Sequence, residues 1–410
     1  MSGLRTVEEH LAEVLATVVA TDPITLSLAA AAGLTLTEDV RARVDVPVFD
    51  NSAMDGFAVR YADVAQASAE EPARLRVVAD LPAGTGDDPA LAPGEAARIM
   101  TGAPVPSDAD AIVPFEDTAG GLADSLGDIA VRRAPKAHGA HIRRRGEDLR
   151  AGETVIPAGT ELRALQLSAA AATGVDRVVV ARPPRVLVIS TGDELVEPGA
   201  TLAHGQIPES NTTLLAGLVR GTGSELLRAT CVSDDPDVFR SLLSDNTGAD
   251  VVITSGGVSA GAYEVVRKAL DSDIDFTKVA LQPGKPQGFG RLPNGALMFG
   301  LPGNPVSVAV SFEAFVRPAL LAMQGRTQLQ RDRIRLPASV GWRTPPDRRQ
   351  YVPATIDRSD PAHWTVRPAT AGGSGSHLAA GLAAAEAYVV VDAAVEAVAE
   401  GDLVDVMLIS

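Results

Sequence analysis

RVLVISTGDEL, residues 185–195, decides how the rest of the chain is read. Residues 185–190 are mostly apolar, as expected of a strand covered on both faces. The text then turns polar through Ser190, Thr191, Gly192, Asp193 and Glu194. The same change recurs in DVVITSGGVS at 250–259 and in ALMFGLPGNP at 296–305. Another strand is expected at 225–230. Helical patterns fall at 212–220, 237–246, 261–270 and 306–323. Strands alternating with helices predict right-handed crossovers and a mainly parallel sheet. Open sheets of this kind bind ligands beyond the carboxyl ends of their strands, where these polar loops fall.

Outward from this core the text differs. Residues 6–20 predict an amphipathic helix, with Thr6 as its cap and Glu9 at the capping-box position. A second, alanine-rich helix is expected near 26–32, stopping at Gly33. Residues 60–140 are punctuated by Gly and Pro. Short strands are expected there at 75–79, 95–100 and 111–114, and a helix follows at 163–172. The C-terminal 80 or so residues read as short strands, clearest at 388–391 and 404–409. The expected architecture is multidomain α/β. An N-terminal mixed helical domain (1–45 with 141–180) is interrupted by a small inserted β domain (46–140). A central, mostly parallel α/β domain (181–329) and a C-terminal β domain (330–410) complete it.

The 410 residues carry 36 Lys plus Arg against 52 Asp plus Glu, a formal charge of -16. That disfavours broad nucleic-acid binding but leaves room for a local cationic pocket. The single cysteine, Cys231, excludes a disulfide within the chain and a cysteine-built metal cluster. At the end of an apolar run, it is expected to be a buried thiol. No secretory pattern opens the chain and no membrane span is expected, so the expected location is the cytoplasm.

Three Gly- and hydroxyl-bearing loops at one sheet edge suit phosphate. Glycine permits close backbone approach, and free N–H groups at a helix start attract anions. Pro305 can open a helix without wasting a donor. Neither GxGxxG nor GxxxxGK[ST] is present, which disfavours hydride transfer and P-loop chemistry. Asp193, Glu194, Glu209, Asp234, Asp235 and Glu264 are candidate Mg²⁺ ligands or plain loop acids, and Asp234 is a candidate cap for the helix at 237. Lys285 stands in a stiff Pro-Gly-Lys-Pro turn suited to compensating an anion. Asp55 lies in a polar loop between apolar flanks, and Thr101 in another polar turn. The basic run at 143–145 reads equally as an anion site or as an exposed turn with internal ion pairs. His138, His204 and His377 lack metal-ligand spacing.

In chain order, NSAMDGFA (51–58), TGAPVP (101–106), RRGEDL (144–149), STGDEL (190–195), GQI (205–207) and SN (210–211) resemble the molybdopterin molybdenumtransferase family. DDP (234–236), TSGGVS (254–259), PGKP (283–286), LPGNPVS (301–307) and the segment at 373–390 continue the resemblance over essentially the whole chain. It implies insertion of molybdate into adenylylated molybdopterin, with release of AMP and molybdenum cofactor. It assigns site roles to Asp55, Thr101, Glu194, Asp234, Glu264 and Lys285. Glu194, Asp234 and Glu264 are the implied Mg²⁺ ligands. Thr191, Gly192, Asp193, Asn211, Ser255, Gly256, Gly257, Pro302, Gly303, Asn304 and Pro305 are the implied substrate-binding residues.

The resemblance also implies an elongated homodimer in which the Asp55 and Thr101 loops face the partner's central domain. A molybdopterin adenylyltransferase and proteins of molybdoenzyme maturation are the implied further partners. Two departures stand out. Gln282 replaces the family's usual lysine, a loss of charge expected either to weaken oxyanion attraction or to shift it to Lys285 and nearby arginines. Glu264 stands where aspartate is common. Two other classes compete: an adenylyltransferase, which would form adenylylated molybdopterin from ATP, and a non-catalytic pterin-binding scaffold, which would release no AMP.

Overall fold

A computed structural model of the chain describes residues 3–121, 126–257, 265–270, 274–370 and 379–409. Its central sheet has six strands in the order Glu225–Val232, Arg185–Thr191, Val251–Ser255, Leu297–Leu301, Pro286–Arg291 and Ile274–Lys278. The first four are mutually parallel, and Pro286–Arg291 pairs antiparallel with both of its neighbours. Only five residues separate Arg291 from Leu297. A hairpin spans that gap, whereas a parallel crossover needs a dozen residues or more. The mainly parallel sheet expected from the sequence therefore carries an antiparallel edge.

Val186, Val188, Val251, Ile253, Leu297 and Phe299 face one core under the helices Asn211–Arg220 and Pro305–Ser311. Helical backbone continues from Pro305 through a π segment, Phe312–Val316, into Arg317–Met323. The wider π turn precedes Pro318, which has no N–H to give to the helix. This 19-residue helix is apolar enough to cross a membrane, but 89% of its most apolar window is buried inside the protein. It is the core helix of the fold.

The first helix, Val7–Thr17, has the expected capping box. Thr6 Oγ1 accepts from Glu9 N–H at 3.1 Å, and Glu9 Oε2 accepts from Thr6 N–H at 2.8 Å. The sequence groups this helix with residues 1–45, yet Val7 and Val14 join the central core. His10 stands edge-on to Phe315, with 4.7 Å between ring centroids. The alanine-rich helix expected near 26–32 does not form. Pro23–Ser27 is a strand paired antiparallel with Arg177–Ala181, and turns follow it. Alternating apolar Ile24 and Leu26 pack beside Val178 and Val180, and this tertiary pairing overrides alanine's helix propensity.

Between these halves, residues 56–131 build a five-stranded sheet: Ala111–Pro114, Gly56–Val59, Glu95–Ile99, Ala73–Leu81 and Asp128–Val131. Gly56 lets the strands close, since a Cβ there would stand 2.1 Å from Val113 O. The basic run at 143–145 resolves as ion pairs: Arg144 with Asp50 at 2.6 Å, and Arg145 with Asp45. These bonds join the entry and exit of the inserted sheet. The C-terminal sheet is built from Arg333–Pro337, Leu403–Leu408, Ala387–Val391 and Arg349–Asp357. Its outermost strand is Leu281–Gln282, borrowed from the central region.

Candidate active site

The carboxyl ends of Arg185–Thr191, Val251–Ser255 and Leu297–Leu301 open into a cleft of about 570 Å³. Each strand runs straight into one of the polar loops. Thr191, Gly192 and Glu194 line one side. Ser255, Gly256 and Gly257 form the floor. Pro302, Gly303 and Asn304 form another wall, followed by the helix that begins at Pro305. Asn211, from the start of its own helix, and Asp234 also line the cleft, and Gln282 to Pro286 close it.

Loop contacts fix this shape. Ser190 Oγ and Ser255 Oγ lie 2.8 Å apart, both buried, and tie neighbouring strand ends. Asn211 Nδ2 donates to Gly303 O at 2.7 Å, joining the helix start to the Pro-Gly-Asn-Pro loop. At Gly256 the backbone takes φ +92°, and a Cβ would come 2.7 Å from Thr191 O. A side chain there would push two loops apart. Gln287 Nε2 donates to Gly284 O at 2.6 Å and to Ser311 Oγ at 2.8 Å, and Val279 N–H donates to Lys285 O at 2.8 Å. The turn bearing Lys285 is thus braced from behind.

Two buried polar atoms of these loops, Thr191 Oγ1 and Asn211 Oδ1, have no hydrogen-bond partner among the described residues. Each such atom costs about 1–3 kcal/mol, a cost that native folds concentrate where function demands it. Glu194 is exposed and Asp234 is half-buried, so two carboxylates face the cleft across from Lys285. Asp234 is not the helix cap. Asp235 takes that role, accepting from Asp237 N–H at 2.8 Å. Glu209 is structural: its buried carboxylate accepts from the N–H groups of Asn211 at 2.7 Å and Thr212 at 3.0 Å. Asp193 faces a neighbouring hollow, where its carboxylate accepts from Asp234 N–H at 3.1 Å. Among the described residues no group of three His, Cys, Asp or Glu gathers as a metal cage. Glu264 lies outside the described residues.

Asp55 and Thr101 stand elsewhere, on the inserted sheet. Asp55 Oδ1 accepts from Thr101 N–H at 2.7 Å and from Thr101 Oγ1 at 2.8 Å. These two bonds, the backbone one foremost, hold the Asp55 carboxyl below the usual aspartate range. Neither residue lines the central cleft of its own chain.

Sequence reasoning missed Arg348. Its Nη1 donates to Gln282 Oε1 at 2.8 Å, setting a guanidinium beside the residue that replaces the family's lysine. Only the parallel pairing of Leu281–Gln282 with Arg349–Gln350, across almost 70 residues, brings them together. No local motif announces it. Leu195 and Ile207, which add an apolar patch to the cleft, were also not singled out. Cys231 corrects the expectation of a buried thiol, because it is exposed at the end of the outermost strand.

Three parallel strands feeding Gly-rich loops over an anion-suited cleft, flanked by two β-rich units, define a multidomain protein built round an α/β core of the ligand-binding kind. Family profiles match almost end to end: "MoeA N-terminal region (domain I and II)" over residues 5–174, "Probable molybdopterin binding domain" over 187–322, and "MoeA C-terminal region (domain IV)" over 335–409. The chain is 46% identical over 363 residues to molybdopterin molybdenumtransferase 2 of Mycobacterium tuberculosis, covering 86% of this chain and 88% of that one. It is 40% identical over 306 residues to the Nostoc molybdopterin molybdenumtransferase, covering 73% and 69%. The solved structure of the molybdopterin biosynthesis MoeA protein from Pyrococcus horikoshii superposes with a TM-score of 0.81 at 30% identity, over 99% of both chains. The chain belongs to the molybdopterin molybdenumtransferase family. It is a transferase that moves molybdate into adenylylated molybdopterin.

Proposed function

We propose that the central cleft holds adenylylated molybdopterin, with the residues of its loops dividing the work. Thr191, Gly192, Asn211, Ser255, Gly256 and Gly257 bind the substrate's polar groups, with Asp193 at the edge. The loop Pro302, Gly303, Asn304 and Pro305 presents a helix start to phosphate. Lys285, with Arg348 reaching the same turn through Gln282, offsets the negative charge of phosphate and molybdate. The observation that carries this proposal is the convergence of three strand-end loops on one cleft, with two buried polar atoms there unpartnered among the described residues.

Glu194 and Asp234, together with Glu264, are the residues we assign to Mg²⁺. Their oxygen donors suit a hard cation that takes one or two carboxylates and completes its shell with substrate phosphates and water. Bound Mg²⁺ supplies charge neutralisation between phosphate and molybdate. The dithiolene sulfurs belong to the substrate, so the chain needs no thiolate of its own. The residues of the cleft orient the adenylyl phosphate against the incoming molybdate. Attack of an oxygen, from molybdate or from water, at the adenylyl phosphorus breaks the phosphoanhydride and releases AMP, while the two dithiolene thiols replace a molybdate oxygen that leaves with their protons as water; the rate gain comes from orientation and fixed electrostatics.

Asp55 and Thr101 act in the partner's cleft of a homodimer. Their place on the inserted sheet, outside the lining of their own chain's cleft, and a carboxylate kept ionised by Thr101 support that role. We further propose that the enzyme works in the cytoplasm, receives its substrate from a molybdopterin adenylyltransferase and passes its product to proteins of molybdoenzyme maturation. The test is an assay with adenylylated molybdopterin, Mg²⁺ and limiting molybdate that follows AMP release. Asp55→Ala and Glu194→Ala should fold and lose molybdate-dependent release. Wild-type turnover in both variants would sink the assignments.

A further inference from the structure

A second hollow, of about 630 Å³, lies where four parts of the chain meet. It shares no lining residue with the cleft. Residues 159–163 reach it from the N-terminal region. Arg317 and Leu321 reach it from the end of the core helix, residues 326–332 from the connector that follows, and Leu408 from the C-terminal sheet.

Four guanidiniums line it: Arg163, Arg317, Arg326 and Arg331. The carboxylates nearby are already engaged. Glu313 accepts two bonds from Arg331, at 2.7 and 2.9 Å. Glu161 accepts from Arg163 at 2.7 Å and pairs with Arg326 at 3.3 Å. Asp332 accepts from Gln328 Nε2 at 2.9 Å. Arg317 is left with a distant ion pair to Glu313, 3.9 Å away, and one donor bond to Leu329 O at 3.1 Å. Its side chain is only 17% exposed, and that of Arg326 only 14%. Burial, and for Arg317 the charge of Arg331, pushes both guanidiniums down from their ordinary range. Four cations thus face three carboxylates in a partly dry hollow, and planar guanidiniums from separate segments converge on it. Thr160, Thr327 and Gln330 add neutral hydrogen-bonding groups to the lining.

We infer that this hollow is an anion site built for a tetrahedral oxyanion, held by Arg317 and Arg163 with Arg326 and Arg331 behind them. Guanidinium forks match the edges of a tetrahedral oxyanion in pairs. An anion would supply the negative charge by which the four cations exceed the three engaged carboxylates. Bound there, it would also bridge three segments of the chain and stabilise their junction by mass action.

The test is calorimetric titration of inorganic phosphate into the full chain at ionic strength held constant with chloride. One equivalent should bind in the hollow, besides any that Lys285 and its neighbours hold in the cleft. Arg317→Gln should weaken binding of that equivalent at least tenfold and Arg163→Gln at least threefold. Lys285→Ala, a change in the cleft, should leave that equivalent in place while weakening any binding in the cleft. Arg163 is 75% exposed at the surface and pairs with Glu161, so its variant tests the site even where Arg317→Gln disturbs folding, which circular dichroism checks. Molybdate and glycerol phosphate form parallel arms. Competition by both identifies the bare tetrahedral group as the ligand, and binding of the monoester alone identifies a phosphate ester. Either result supports the site. It is overturned by the absence of phosphate binding beyond the chloride control. It is also overturned where Lys285→Ala abolishes binding while both arginine variants stay within twofold of wild type, since the ion would then sit in the cleft.

Discussion

The cleft and the Asp55–Thr101 pair solve opposite problems. In the cleft, Thr191 Oγ1 and Asn211 Oδ1 are buried without partners, and Glu194 stands exposed. Groups there are kept available for something that arrives. On the inserted sheet, Asp55 already has two donors from a single residue, and its ionised form is favoured before any ligand appears. One region is incomplete by design and the other is set in advance. The difference separates residues that bind and neutralise from a residue that presents one fixed charge.

The largest effect should come from the incomplete region. Glu194→Ala removes a carboxylate that no other described contact replaces, and AMP release should fall on the order of 10²–10³-fold. Circular dichroism should stay at the wild-type trace, since the bond that ties Glu194 to the fold is its backbone carbonyl accepting from Ile207 N–H at 2.9 Å, which alanine keeps. Turnover near wild type would erase the distinction between the two regions.

The pre-set region should respond more mildly and in a different observable. Thr101→Val removes the hydroxyl bond to Asp55 but keeps the backbone N–H bond. Losing one charge-assisted hydrogen bond corresponds to about tenfold in rate. Asp55 is held below the ordinary aspartate range, so its charge is present above that range and is lost as pH falls through its lowered folded value. Losing the hydroxyl raises that value, and the acid limb of the rate profile should move to higher pH. A uniform loss at every pH would show that Thr101 serves position alone.

Most of this molecule was legible in the text, and the misses share a cause. Apolar runs ending in Gly-rich loops gave the parallel strands and the cleft, because a buried strand and a phosphate loop each leave a local mark. Thr6 and Glu9 gave the first helix for the same reason. Arg348 left no such mark. It reaches Gln282 only through a strand pairing between residues far apart in sequence. Pro23–Ser27 misled because its alanine-rich tail favours helix while its pairing with Arg177–Ala181 is decided at a distance. Asp234 and Asp235 read alike in sequence, and only backbone geometry gives the cap to Asp235 and the cleft to Asp234.

An orphaned polar atom does not by itself make a site, and His10 sharpens that limit. Its Nδ1 is buried without a partner, like Thr191 Oγ1, but it lies edge-on to Phe289 and Phe315 in the core. Burial lowers its pKa from 6.5 to about 4. The unfolded chain therefore binds a proton that the folded chain refuses between those values. His10 contributes its full stability above pH 6.5 and loses it as pH falls toward 4. Urea unfolding should show about 1 kcal/mol lost at this residue between pH 6.5 and 5.5. His10→Leu should remove that slope and leave AMP release unchanged. A slope that survives the substitution would assign it to other groups.

Cys231 should give the smallest effect, although it lies closer to the chemistry than His10 does. It is exposed beside the hollow that holds Asp193 and Glu209. Its thiol is nonetheless pushed up to about 11, first by partial burial and then by Glu209, Glu194, Asp234 and Glu197. Each of those carboxylates opposes a second negative charge at sulfur. At neutral pH only about one molecule in 10⁴ carries the thiolate, which is the nucleophilic and metal-binding form. The acidity that suits Glu194 and Asp234 to a cation thus disarms their thiol neighbour. Cys231→Ser should keep AMP release within about twofold of wild type, because serine preserves size and neither side chain is ionised. Iodoacetamide should label the wild-type thiol slowly despite its exposure, and faster in Glu194→Ala, where one repelling charge is gone. Rapid labelling of the wild type, or loss of turnover in Cys231→Ser, would mean that the thiolate is stabilised there and that the cleft reaches further along this strand than its lining suggests.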